Sequence, residues 1–220
     1  MLAEGVNGLI GHSALIVGFA SAVFGAAAMA TATLKRDPRL VRTVQAYGWV
    51  VLVAAVLAAV VMERALITRD WSIAYIQQVG SPNTPALFNF TALWSALQGS
   101  ILLWLLLLAI YTSIVMRRYR NRLGDALVGW AVVTMLAVTA FFFFLALGPT
   151  DAFQAGGVPN FDKCCAGPNP LLQNHVLVLF HPPILYLGYV GFTVPFAFAI
   201  GALVTGRDRK STRLNSSHRT

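Results

Sequence analysis

The chain has 220 residues, 57% hydrophobic and only 11% charged, with a formal net charge of +8 and a mean hydropathy of +0.69. A soluble domain carries roughly one quarter charged residues, so a water-soluble globule is excluded and lipid is the implied solvent. In a soluble chain the positive balance would point to nucleic acid. Here the basic residues fall in short clusters between apolar runs, so the bilayer, and no nucleic acid, is the expected partner.

A bilayer core of roughly 30 Å needs about 20 apolar residues in a helix. Five stretches qualify: 8–34, 43–62, 91–116, 126–147 and 182–205. The expected fold is all-α, a polytopic membrane helix bundle. The first stretch is too long, and its flank too acidic, for a cleavable signal peptide. His12 lies early in it, where it reaches headgroups or a partner helix. The next connection, 35–42, holds Lys35, Arg36, Arg39 and Arg42, and the connection 117–122 holds Arg117, Arg118, Arg120 and Arg122. Arg207 follows the fifth stretch. The intervening connections, 63–90 and 148–181, are longer and nearly balanced in charge. Short basic loops stay inside, so the N-terminus is expected outside and the long loops with it. No internal repeat is visible.

Within the third stretch, Ser95, Gln98 and Ser100 are the polar residues that a transport path would use. Trp94 and Trp104 lie about 15 Å apart along the axis and read as packing or interface residues. Phe141–Phe144 face lipid or neighbouring helices. Cys164 and Cys165 are adjacent in an outer loop. They can form a vicinal disulfide, exchange thiols or stand as two ordinary loop residues; with no redox or CxxCH motif around them, they are taken as loop residues. Gly188 and Gly191 permit close helix approach.

The sequence His181-Pro182-Pro183 interrupts an apolar run. Proline is tolerated in the first turn of a helix, where its missing N–H has no partner to lose. The pair therefore reads as a helix start at 182, with His181 just before it at the outer surface and Pro170–Phe180 lying along the interface or dipping into it. A stiffly held imidazole suits haem-iron ligation; the alternative is a cap or a headgroup contact. His175, six residues earlier, lies about 240° away on a helix and cannot share an iron with His181.

Three segments carry a resemblance: GLIGHSALIVGFASAVFG from residue 8, WSIAYIQQVGSPNTPALFNFTALWSALQGSILLW from residue 71, and NPLLQNHVLVLFHPPILYLGYVGFTVPFAFAIGAL from residue 169. Together they resemble the cytochrome c-type biogenesis family of haem-handling membrane proteins, the CcmF/NrfE/CcsA haem lyase group, over nearly all of residues 1–207. The resemblance implies haem delivery to apocytochrome c on the outer face of the bacterial inner membrane. Other cytochrome c maturation membrane proteins and a haem chaperone are implied as partners. It implies His181 as an axial ligand of haem b, with the second axial ligand and a tryptophan-rich haem-binding segment beyond residue 207. No catalytic side chain is assigned; the bond-forming chemistry belongs to the cofactor and the cytochrome thiols. The family usually carries a glutamate where this chain has Gln98, so a proton-linked role there is not expected. Other classes remain open: a transporter or channel subunit, or a structural subunit that docks partners through its outer loops.

Residues 208–220 have no apolar face and look like the in-frame translation of a sequencing adapter. They are taken as a non-native tail following a domain at 1–207. The tail carries four basic residues and one acid, so the net charge without it is +5 and the orientation argument stands. Reporter fusions test that argument: those at Gly80 and Gly157 should behave as exported and one at Arg120 as cytoplasmic. An exported signal at Arg120 would overturn it.

Overall fold

The computed structural model describes residues 5–160, 164, 165, 167, 171 and 175–207. The expected tail at 208–220 lies outside them. Helices α1 (Val6–Lys35) and α2 (Pro38–Thr68) form an antiparallel pair. Two short helices, α3 (Ala74–Val79) and α4 (Ala86–Thr91), follow in the first long loop. Then come α5 (Leu97–Arg118) and α6 (Ala126–Leu147), and finally α7 (Leu177–Gly191) and α8 (Thr193–Thr205), separated only by a turn at Phe192. Five helical segments are long and apolar enough to cross a membrane, with α7 and α8 counted as one. Among the described residues there is no strand, only an isolated bridge between Ile73 and Ala155.

Four spans close a ring, with α1 against α2, α2 against α5, α5 against α6 and α6 against α1. Helix association in lipid depends on close van der Waals contact, which small residues permit. On α1 that role falls to a seam of Gly11, Gly18 and Gly25, spaced by seven. A Cβ at Gly11 would collide with the Phe153 ring, one at Gly18 with the Phe143 ring, and one at Gly25 would come within 3.1 Å of Tyr47. Phe143 is fully buried, whereas Phe141 and Phe144 are half exposed toward lipid.

The connections explain the sharp reversals. Arg36 ends α1 in the left-handed region at φ 54°. Asp37 caps α2 by accepting from Arg39 N–H at 2.8 Å, and Pro38 occupies the first helical position, where a proline costs no hydrogen bond. Asp125 caps α6 by accepting from Leu127 N–H at 2.9 Å. Arg36, Arg42 and Arg120 line one groove, so the two basic loops share one end of the bundle. Arg207 joins them through a 2.7 Å ion pair with Asp125.

Helices α7 and α8 lie outside the ring, α7 on α5 and α8 on α6. Only Val190, Ala197 and Gly201 are buried along them. Gly201 lets α8 reach the backbone of α6, since a Cβ there would meet the Leu127 carbonyl. Gly191 lies against the Tyr111 ring, but a Cβ at Gly188 would meet nothing. The expected close approach therefore holds at Gly191 and not at Gly188.

Two span boundaries differ from the sequence reading. The third span begins at Leu97, not 91, because Thr91 closes α4 and Ala92–Trp94 form a buried 3₁₀ turn. The fifth begins at Leu177, not 182. His181, Pro182 and Pro183 are inside α7, one turn past its start.

Candidate functional site: a proline-bearing helix held by α5

The first four N–H groups of a helix have no intrahelical acceptor. In α7, Val178 and Leu179 direct theirs to His175 O at 3.0 Å and Val176 O at 3.1 Å. His175 Nδ1 lies 3.2 Å from Leu177 N and accepts from it, so this ring serves the helix start. Pro182 and Pro183 come next and lack the N–H groups that Val178 O and Leu179 O would receive from residues four further on. The Val178 carbonyl has a substitute donor. Trp94 Nε1 donates to Val178 O at 2.8 Å from 84 residues away. That bond lets the helix run through the two prolines instead of beginning at them.

Trp94 is itself fixed. It is buried, its ring meets Phe90 edge-on at 5.4 Å, and it ends the 3₁₀ turn before α5. Tyr75 braces that turn by donating to Ala92 O at 2.6 Å, with Leu93 O at 3.0 Å. Burial pushes the Tyr75 hydroxyl well above its ordinary range, so it stays a donor. Gly99 completes the packing, because a Cβ there would fall on the Leu93 carbonyl.

Further along, α5 and α7 run parallel and touch at successive turns. Ser100 Oγ lies 3.3 Å from Tyr186 Oη. The Trp104 ring stacks on Phe142 at 5.7 Å and meets Tyr186 edge-on at 5.6 Å. Tyr111 Oη donates to Leu187 O at 3.0 Å. Both tryptophans are packing residues.

His181 is thereby placed on the opposite side of α7, away from α5. Its ring is exposed and makes no hydrogen bond or ion pair among the described residues. Leu177, Phe180, Ile184 and Leu185 surround it on the same helix surface, each at least 41% exposed, and Gly188 adds no side chain. Two free ring nitrogens within an apolar, uncovered face form a donor set that fits an axial contact to a flat apolar macrocycle. No group of three or more His, Cys, Asp or Glu that could hold a metal occurs among the described residues. His175 and His181 are not brought together on one acceptor, as their spacing implied.

The long loops brace the same end. His12 Nε2 lies 2.7 Å from Asp151 Oδ1, so His12 ties α1 to the second loop. Arg64 donates to Asn7 Oδ1, Asn7 Nδ2 to Asp70 at 2.6 Å, and Ser72 Oγ to Asp70 at 2.6 Å. Burial opposes ionisation of Asp70, but the hydrogen bonds from Ser72 and Asn7 and the charge of Arg64 outweigh it and hold its carboxyl below the usual range. Gln77 Nε2 donates to Trp71 O and Gly157 O, both at 2.7 Å. Cys165, at φ 69°, donates its N–H to Gln77 O at 3.2 Å. That backbone turn brings Cys164 and Cys165 together as a disulfide, which corrects their reading as ordinary loop residues.

The polar residues of the transport alternative do not converge. Ser95 Oγ donates to Ala92 O, Ser100 turns to Trp94 O and Tyr186, and Gln98 Nε2 donates to Gln78 Oε1 on α3 at 3.3 Å. Sequence reasoning missed Glu63. Both its carboxylate oxygens are buried without a hydrogen-bond partner, beside a 530 Å³ apolar groove that reaches Phe90 and Trp94. A lone acid in the apolar run of α2 was the available signal.

The family model described as Cytochrome C assembly protein matches residues 94–219. The cytochrome c-type biogenesis protein CcmF of Escherichia coli (strain K12) is 33% identical over 171 residues, covering 78% of this chain and 26% of that protein. The biogenesis protein CycK of Rhizobium meliloti (strain 1021) is 31% identical over 198 residues, covering 90% of this chain and 29% of that one. A solved structure titled Cytochrome c Heme Lyase CcmF superposes with TM-score 0.76 at 29% identity, over 94% of this chain and 32% of its own. The chain thus spans between a quarter and a third of the length of these relatives.

The bond from Trp94 to Val178 O is open to a double-mutant cycle. Trp94→Phe should cost about 1–3 kcal/mol, the penalty of a part-buried carbonyl left without a donor. In a Pro182→Ala background the new N–H supplies that donor, and the same change should cost clearly less. Unfolding of the purified chain in mixed detergent measures both; equal costs would remove the assignment.

Proposed function

The chain belongs to the cytochrome c assembly protein family, and from that membership and the exposed imidazole of α7 we propose that it presents haem for covalent attachment to apocytochrome c, with His181 as an axial ligand. The observation that carries the reading is the His181 ring, free at both nitrogens on an uncovered apolar helix face. Haem, when bound, supplies the vinyl groups that cytochrome thiols attack. The chain's own part is positional. His181 would hold the iron, Leu177, Phe180, Ile184 and Leu185 would exclude water from the flanks, and Trp94 keeps α7 straight enough to aim the ring. No side chain of this segment is given a catalytic role.

The cofactor is proposed to be haem b, with its second axial ligand supplied from outside this segment. The site is proposed to lie on the outer face of a bacterial inner membrane, at the end of the bundle opposite the arginine-rich loops. Apocytochrome c, other cytochrome c maturation membrane proteins and a haem chaperone are the proposed partners. The names of the relatives support this assignment, and so does the concentration of aromatic and hydrogen-bonded structure at the loop-rich end.

Haem titration of the intact protein in membranes, with the second ligand present, tests the ligand. A Soret band with a histidine-ligated iron signature should appear, weaken in His181→Ala, and partly return with free imidazole. His175→Ala should retain it, because that ring is engaged at the helix start. An unchanged spectrum in His181→Ala would overturn the assignment.

A further inference from the structure

The basic end holds a second feature that haem handling does not use. Between α2 and α5 lies a groove of 510 Å³. Its two walls change character in step. On α5, Arg117 stands at the mouth, Ser113 one turn deeper, and Ile110 below it. On α2, Gln45 is followed inward by Trp49 and Leu52. Arg120 and Gln45 are shared with an adjoining 360 Å³ groove that adds Arg36, Arg42 and the single acid Asp37. The order is therefore cations, then hydrogen-bonding groups, then apolar side chains.

Three observations show that this groove is unfilled by the chain itself. Ser113 Oγ is buried with no hydrogen-bond partner. Among the described residues no carboxylate lies within ion-pair distance of Arg36, Arg42, Arg117 or Arg120; Asp125 is taken by Arg207, and Asp37 accepts from the Arg39 backbone. Trp49 is 57% exposed. Gly48 shapes the floor by admitting the Met116 side chain, whose Cε and Sδ would lie 2.7 Å from a Cβ there.

We propose that this groove is a binding site for one anionic phospholipid of the adjacent leaflet. The phosphate sits between Arg117 and Arg120, the glycerol ester oxygens fall at the depth of Ser113 and Gln45, and an acyl chain lies along Trp49, Leu52 and Ile110. Charge complementarity selects this occupant. Four cations that lack an ion-pair partner among the described residues attract an anionic headgroup to the mouth, and basic pockets between spans bind such headgroups. A zwitterionic lipid leaves that charge unmatched, and a partner helix leaves the arginines without counterions. The bound lipid wedges α2 against α5 at the end of the ring opposite Trp94.

Tryptophan quenching by brominated lipid tests the site on the full chain in bilayers. Brominated phosphatidylglycerol, as a minor component of phosphatidylcholine bilayers, should quench more than brominated phosphatidylcholine at the same fraction. Each arginine contributes a roughly fivefold preference for an anionic headgroup, so Arg117→Gln/Arg120→Gln should cut the preference by roughly 25-fold. Trp49→Phe should remove the quenched component while circular dichroism stays unchanged. Arg118→Gln/Arg122→Gln removes the same charge outside the groove and should retain the excess. Equal quenching by the two lipids, or equal loss in both arginine pairs, would overturn the site. So would an excess displaced by free haem but not by unlabelled phosphatidylglycerol.

Discussion

A main-chain carbonyl in hydrocarbon must find a donor, because water is not there to supply one. Pro182 and Pro183 withdraw two donors from α7 within the first turns of a membrane span. The Trp94 indole returns one of them at 2.8 Å. Much of the loop-rich half of the protein follows from holding that indole in place. The 3₁₀ turn at Ala92–Trp94 orients it, Tyr75 ties the turn down, and Gly99 makes room for the Leu93 carbonyl. The third span starts six residues later than its apolar run because those residues build this support.

The consequence for His181 is directional. With α7 continuous through the prolines, the ring belongs to a helix whose inner side is fastened at Val178, Tyr186 and Leu187. Its outer side is bare. A histidine placed before a helix would share the freedom of a loop; this one inherits the rigidity of a span. The prolines add stiffness without a break, and the orphaned Val178 carbonyl becomes the point at which α7 is fastened to the turn before α5. The loops then clamp the same end through His12–Asp151 and through the Arg64–Asn7–Asp70–Ser72 chain.

Much of this was legible in the sequence. Span number and the clustering of basic loops follow from apolar length and arginine placement, since both are one-dimensional properties. The boundary at Leu177 was not legible. Proline's local cost can be counted from the chain, but a donor 84 residues away cannot. The same limit hid the link between Cys165 and Gln77, which depends on a left-handed backbone turn. His181 was recognisable as a candidate from its residue type and the resemblance, yet its surroundings came only with the helix. The glycine seam of α1 was written in the sequence as a spacing of seven, but its partners Phe143 and Phe153 lie on distant segments. The groove at Arg117 was legible only as orientation, because its depth comes from the pairing of Gly48 with Met116.

The central claim is that one hydrogen bond, from Trp94 to the Val178 carbonyl, carries α7 through its prolines and so aims His181. Isotope-edited infrared spectroscopy reads that bond directly. A ¹³C=¹⁸O label at Val178 should absorb at the lowered frequency of a hydrogen-bonded carbonyl, and Trp94→Phe should move the band upward while other labelled carbonyls of α7 stay in place. A Val178 band that sits at the free-carbonyl position in the unaltered chain, or that ignores the loss of the indole, would contradict the account.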